Sequence, residues 1–320
     1  MKDQYNREID YLRLSVTDLC NLKCKYCMPE KGIDKKCHSE ILRFEDYIRI
    51  VKAAVNLGVK KVRITGGEPL VRNDIVELVS KISQIDGVED LSMTTNGILL
   101  KKYAKELSRA GLNRLNISLD TLDSTKFEQI TRGGNLEDVL EGINAAEEAR
   151  IMPIKLNTVL INGFNTDEIE TFISLARKNL EVRFIELMPI GEAAEWSSSK
   201  FISNTSIIER HRDLFEENCT KSNGPAKYFI KKSNRGKVGF INPISSHFCS
   251  ECNRIRLTPD GKLKPCLHSD IEIDLKRYLK QSDEVLKIEL EKAIYNKPHR
   301  HHINEVGFKP IVRSMNCIGG

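Results

Sequence analysis

The sequence predicts an α/β protein built on an incomplete barrel of six parallel strands, followed by an α+β region. Three observations predict it. Short β-rich runs alternate with longer amphipathic stretches from residue 9 to about 190. Such β–α units in series imply a parallel sheet with right-handed crossovers. Full closure takes about eight strands, so six leave one side open. The strand runs fall at 9–16, 62–65, 91–94, 114–118, 154–159 and 182–187, and the helical stretches at 44–57, 74–85, 100–110, 136–149 and 167–179. Asn73-Asp74 and Thr166 are candidate N-caps, and Gly58 and Gly111 candidate C-caps. Chemistry is expected at the C-terminal ends of the strands.

After Ile190 the character changes. Residues 191–205 read as loop, 206–216 as helix, and 227–258 carry strand-like runs (KYFIKK, KVGFIN, RIRLTP) with turns at Asn234-Arg235-Gly236 and Pro259-Asp260-Gly261. Residues 270–295 read as helical and the tail as irregular. The expected division is 1–190 for the partial barrel and 191–320 for a region covering its open side.

At 40% hydrophobic, 320 residues can bury a substantial core. No apolar run of about eighteen residues is present, so no membrane span is expected. MKDQYNREID lacks the apolar stretch of a signal peptide, and the expected location is the cytoplasm. Nine cysteines in a reducing compartment argue for metal or catalysis over disulfides. The sequons at Asn116 and Asn204 are then chance matches. A net charge of +5 is too mild to argue for nucleic acid, yet permits a local basic pocket for a polyanion.

Cys20, Cys24 and Cys27 stand at C-x3-C-x2-C spacing in the loop after the first strand. Three thiolates hold three irons of a [4Fe–4S] cube and leave the fourth open. Zinc prefers four ligands, and redox pairs use C-x2-C without a third cysteine. With Tyr26 beside the last cysteine, RLSVTDLCNLKCKYCMP resembles the radical SAM superfamily, whose fold is an incomplete TIM-like barrel. The resemblance implies that the amino and carboxylate groups of S-adenosylmethionine (SAM) chelate the open iron. Gly66-Gly67-Glu68-Pro69 follows the second strand; paired glycines let backbone approach a ligand, and their carbonyls can accept from the methionine ammonium. By the same resemblance Tyr26, Gly67, Ser118 and Met188 are SAM contacts.

Cys249, Cys252 and Cys266 form C-x2-C-x13-C. Spacing alone fits equally a second open cube and a zinc knuckle completed by His247, His268 or Cys219. Arg254 and Arg256, two apart on a strand-like run, share a face, and arginine forks suit phosphate. Together they suggest a substrate with a phosphate and a metal-binding heteroatom. CMPE, RITGGEPLVR, TTNG, NISLDTLD, RFIELMPIG, CSECNRIRLTPDGKLKPCL and the terminal Ile-Gly-Gly resemble the GTP 3′,8-cyclase family from about Tyr11 to Gly320.

That resemblance implies two [4Fe–4S] clusters, SAM, and GTP contacts at Arg13, Arg63, Thr94, Lys155, Arg254, Ile255 and Arg256, with Lys61 and Arg183 as further triphosphate candidates. A triphosphate carries about four negative charges and needs several partly desolvated cations. In the family the guanine base approaches the second cluster, and the Gly319-Gly320 tail enters the active site. The implied reaction is a carbon–carbon lyase step of molybdenum cofactor biosynthesis. A 5′-deoxyadenosyl radical takes hydrogen from C3′ of GTP, and C3′ then attacks C8. One electron and a proton follow, giving (8S)-3′,8-cyclo-7,8-dihydroguanosine 5′-triphosphate. Implied partners are a flavodoxin- or ferredoxin-like donor and cyclic pyranopterin monophosphate synthase as the next enzyme, with the chain a monomer or homodimer. Cys317 stands where a small polar residue is expected. Cys37 and Cys219 carry no assigned role, and His299-Arg300-His301-His302 reads as a solvated segment.

Two rivals remain. A peptide-modifying radical SAM enzyme needs neither the arginines nor the Gly-Gly tail. A zinc-stabilised nucleic-acid-binding protein predicts a steep salt dependence, and the mild charge and absent aromatic–basic interleaving count against it.

Overall fold

The computed structural model describes residues 1–320 except Lys35, His38, 221–223, Asn304, 306–307, 309–310, Val312 and Gly320, and for 217–220 the backbone alone. The six expected strands are β1 (Tyr11–Ser15), β2 (Lys61–Thr65), β3 (Asp90–Thr95), β4 (Arg114–Ser118), β5 (Ile154–Leu160) and β6 (Leu180–Glu186). They pair in sequence order, all parallel. The helices between them are α1 (Phe44–Asn56), α2 (Ile75–Ser83), α3 (Leu100–Arg109), α4 (Ser124–Thr131), α5 (Leu136–Glu148) and α6 (Ile169–Leu175).

Alternation along each strand builds two cores. In YLRLS, Leu12 and Leu14 are fully buried in the main hydrophobic cluster under the helices, while Tyr11 and Arg13 line the barrel interior. Gly58 and Gly111, both at φ +93°, stop α1 and α3 as left-handed caps.

The C-terminal region extends the sheet on both edges. After α7 (Ser197–Lys200) and α8 (Asn204–Arg210) come β7 (Phe215–Thr220), β8 (Ala226–Lys231), β9 (Lys237–Ile241), β10 (Arg254–Leu257), β11 (Lys262–Lys264) and β12 (Ile273–Asp274), then α9 (Asp283–Tyr295) and α10 (Met315–Ile318). β9 joins β6 and β10 joins β1, both parallel, giving the order β12-β11-β10-β1-β2-β3-β4-β5-β6-β9-β8-β7. Eight strands thus run parallel, as in a closed barrel, but β9 and β10 do not pair. Each instead continues outward into antiparallel strands.

Several expectations need correcting. Asp74 precedes α2 in a left-handed conformation and makes no side-chain cap. Thr166 does not cap the next helix, which starts at Ile169 and ends at Leu175 because the chain turns extended at Ala176 and closes an Arg177–Leu180 bridge through Asn179 at φ +73°. The helix expected at 206–216 is Asn204–Arg210, with Phe215 already in β7. Of 270–295, only Asp283–Tyr295 is α-helix, because β12 takes the first residues to pair β11. α4 was unforeseen; Asp123 starts it by accepting from Lys126 N at 2.8 Å. Among the described residues no helix is long and apolar enough to cross a membrane.

Candidate active site

The barrel interior holds a cavity of about 320 Å³ that runs from the first cysteine loop to the second. All six candidate cluster cysteines line it.

The first loop leaves β1 and is fastened from two sides. Thr17 O accepts from Gly67 N at 2.7 Å and Leu19 O from Glu68 N at 2.8 Å. A Cβ on Gly67 would strike the carbonyl oxygens of Asp18 and Leu19, so the paired glycines are required by the close approach of this loop. Glu68, fully enclosed, accepts from Leu70 N, Thr95 Oγ1 and Asn96 N at 2.7–3.0 Å, and burial still pushes it up to about 7. On the other side, Lys23 N and Lys25 N donate to Thr131 O and Ile130 O, and Arg132 Nη1 donates to Lys23 O and Met28 O. The unforeseen α4 therefore holds the loop. Burial pushes the Cys20 and Cys27 thiols up to about 11 and 12 and raises Cys24 well above its usual value, with neighbouring thiols and Asp120 adding to the last.

Tyr26, Gly67, Ser118 and Met188 all line the cavity. Tyr26 donates to Asp120 Oδ2 at 2.7 Å, and Asp120 Oδ1 accepts from Val159 N, which pins the ring against the end of β5. Burial raises Asp120 to about 6.

The second triad sits at the unpaired gap. Cys249 and Cys252 lie in the segment crossing from β9 to β10, and Cys266 follows β11. Burial raises the Cys249 thiol. At Cys252 burial also acts upward, but the Arg254 and Lys297 cations outweigh it and bring the thiol down to about 6. His301 is buried and meets both His247 and His268 edge to face, with ring centroids at 5.3 and 5.0 Å. This corrects the solvated reading of that segment: only His299, Arg300 and His302 face water.

Between the triads stand the cations. Arg13, Arg63, Arg183, Arg254 and Arg256 line the cavity with Thr94. β10, β1 and β2 set Arg256, Arg13 and Arg63 in one register row. Burial first, then mutual repulsion, lowers Arg13 well below its usual value and Arg63 and Arg256 to about 10. Lys61 and Lys155 are not among the cavity residues. Lys61 pairs with Asp10 at 2.7 Å and Lys155 with Glu181 at 2.5 Å, because each lies one strand step from a carboxylate at the N-terminal end of the barrel. The Ile255 side chain lies on the opposite face of β10 in the hydrophobic core, so only its main chain is available to a ligand.

The tail reaches the site. Asn316 Nδ2 donates to Asp18 O at 3.1 Å, and Gly319 O accepts from Arg256 Nη1. At φ +74° a Cβ on Gly319 would overlap Thr65 Oγ1 and crowd Ser15. Gly320 lies outside the described residues. Cys317 is half-buried beside Cys27, Cys37 is exposed, and the Cys219 side chain is outside the description.

These residues fit groups larger than single ions. Among the described residues Thr94 Oγ1, Asn157 Oδ1, Arg183 Nε and Arg254 Nε are buried without a hydrogen-bond partner, and all four residues line the cavity. Buried polar groups are ordinarily paired, so such a set marks a binding site. Tyr11 and Asn157 were not foreseen, though each stands two residues from a predicted contact on the same strand face, Arg13 and Lys155. Asn96 and Asp120 fall inside TTNG and NISLDTLD without being singled out there, and Lys297 had no local signal.

Fold and first loop together define the class, a radical SAM protein. The radical SAM superfamily model matches residues 14–176, and the molybdenum cofactor synthesis C model matches 180–303. A GTP 3′,8-cyclase of Alkaliphilus oremlandii is 54% identical over 100% of both chains. One of Peptoclostridium acidaminophilum is 52% identical over 99% of this chain and 98% of its own, and one of Thermodesulfovibrio yellowstonii is 47% identical over 100% of both. The chain belongs to the GTP 3′,8-cyclase family, iron–sulfur and SAM-binding enzymes of molybdenum cofactor biosynthesis. Solved structures agree on the fold alone. Streptococcus suis SuiB bound to S-adenosylmethionine matches with a TM-score of 0.62 at 16% identity, covering 90% of this chain and 67% of that one. Methylornithine synthase matches at 0.52 and 16%, covering 65% and 63%.

Proposed function

We propose that this chain converts GTP to (8S)-3′,8-cyclo-7,8-dihydroguanosine 5′-triphosphate in the cavity between its two cysteine triads, each holding a [4Fe–4S] cluster with one open iron. The carrying observation is the shared cavity: two three-cysteine sets open on one chamber whose middle is lined by five arginines.

When bound, the first cluster and SAM supply the 5′-deoxyadenosyl radical that starts the reaction. The chain's own residues do the rest. Arg13, Arg63 and Arg256 form a buried row of cations, suited to a triphosphate; among the described residues Arg183 and Arg254 offer unpartnered Nε atoms beside it. Thr94 and Asn157 add unpartnered oxygens for ribose or base. Lys61 and Lys155 join only if their carboxylate partners share them. Tyr26, fixed by Asp120, and the Gly66-Gly67 turn shape the SAM side. The tail closes the chamber past Thr65, excluding water from a reactive carbon radical. The residues 1–190 then serve SAM cleavage and 191–320 the second cluster, although one sheet joins them.

The reading places the enzyme in the cytoplasm as a monomer or homodimer, served by a flavodoxin- or ferredoxin-like donor and feeding cyclic pyranopterin monophosphate synthase. Anaerobic reconstitution followed by SAM, a strong reductant and GTP tests it. GTP-dependent 5′-deoxyadenosine and about eight irons per chain are expected from two cubes. About four irons, or turnover indifferent to GTP, would overturn it.

A further inference from the structure

Lys297 follows α9 and is 2% exposed, among the largest fully enclosed side chains in the chain. Among the described residues no carboxylate pairs with it. Its Nζ donates to Arg254 O at 2.9 Å and to Pro265 O, and its charge acts on the Cys252 thiol. Arg254 is two residues past Cys252, and Pro265 immediately precedes Cys266. One ammonium therefore clasps the two arms that carry the second triad, and it lines the same cavity as those cysteines. Its own backbone is held in turn: Arg7 donates to Lys297 O and Pro298 O, and to Cys249 O.

A buried ammonium satisfied only by neutral carbonyls is costly unless a negative group lies close. The negative group that the proposed cluster provides is specific. A cube with a 2+ core and three thiolates carries net −1, and adding one electron takes it to −2. A fixed cation at the sulfur favours the second state, since net charge and hydrogen bonds to sulfur set cluster potentials.

We propose that Lys297 is the buried counter-cation of the second cluster, a positioning residue that ties the Cys252 and Cys266 arms together and raises that cluster's reduction potential above what its thiolates alone would give. The proposal rests on the two-cluster reading above. Lys297 thereby makes the second cluster the better electron store of the two.

The test is an anaerobic redox titration followed by electron paramagnetic resonance on full-length protein, with iron counted in each sample. Wild type, Lys297→Met and Lys297→Arg are compared, and the first cluster serves as internal control. Lys297→Met, which keeps length but loses charge, is expected to shift the second cluster's midpoint negative and leave the first unmoved. Lys297→Arg is expected to stay near wild type. Loss of one cluster in Lys297→Met with full loading in Lys297→Arg also supports the role. An unchanged midpoint in fully loaded Lys297→Met, or equal cluster loss in both variants, overturns it. Wild type with about four irons and a single midpoint would instead sink the two-cluster reading.

Discussion

The two triads share a ligand count and little else. Burial raises Cys20, Cys24 and Cys27, with Glu68 adding at Cys20 and neighbouring thiols and Asp120 adding at Cys24 and Cys27. Around Cys252 the neighbours are Arg254 and Lys297, and the thiol is drawn down to about 6. Every thiol of the first triad is raised, whereas the second triad holds one raised thiol, Cys249, and one lowered, Cys252. On the two-cluster proposal, the Arg254 and Lys297 cations beside Cys252 would favour the extra negative charge that reduction brings to the second cluster. Two three-cysteine sets thus sit among unlike charges.

The sharpest way to break this comparison is to remove one thiol from each side. Cys24→Ala is expected to drop 5′-deoxyadenosine formation to background, whereas Cys252→Ala should retain SAM cleavage that no longer responds to GTP, both read by chromatography of the nucleoside. Equal loss in the two variants would mean the sites do not divide the work. Next in size is Arg256→Ala, which removes a member of the arginine row and the donor to Gly319. It should cost about 2 kcal/mol in kcat/KM for GTP, roughly 30-fold, with SAM affinity unchanged by equilibrium dialysis.

Gly319→Ala tests the tail. A Cβ at positive φ costs roughly 1–2 kcal/mol, and here it also meets Thr65 and Ser15. About a tenfold rise in KM for GTP is expected, together with more 5′-deoxyadenosine released per product as water enters. A smaller effect concerns the latch that brings the tail in, where Arg313 pairs with Asp260 at 3.0 Å and with Glu272 at 2.8 Å. Asp260 is half-buried; burial acts upward, but the Arg313 hydrogen bond, with Thr258 and Lys36, holds its carboxyl well below the usual range. A depressed carboxylate contributes stability above its unfolded pKa of about 4 and loses it as pH falls further toward the folded value. The latch should thus be constant across neutral pH, and Asp260→Asn should raise KM for GTP roughly threefold at pH 7. Smallest is Glu181→Gln, which frees Lys155 toward the cavity. It should lower KM for GTP about twofold, and an increase would show that the pair is needed intact.

The barrel strands were legible because each carries its own alternation; YLRLS and KVRIT declare both faces. The cysteine loops were legible because their spacing is local. What was hidden depends on partners far away in sequence. Nothing in KVGFIN or RIRLTP says that they flank β6 and β1, since periodicity names a face and not a neighbour. Lys61 and Lys155 read as free cations, and only the fold brings Asp10 and Glu181 to them. Lys297 sits in a run of charged and histidine residues that reads as surface, yet the β10 and β11 arms close over it. α4 was missed because STKFEQIT is short and lacks a sustained apolar stripe; its start was written in Asp123.

The pairing of β1 with β10 has a consequence for biosynthesis. One edge of the first strand gains its partner only after residue 254 has left the ribosome. At about 5–20 residues per second that delay is on the order of tens of seconds. Throughout it the nascent half-barrel exposes an unpaired strand edge, a template for association with other chains. Fragments ending before Arg254 should therefore precipitate when expressed alone, and a chaperone that shields this edge should raise the yield of the whole chain.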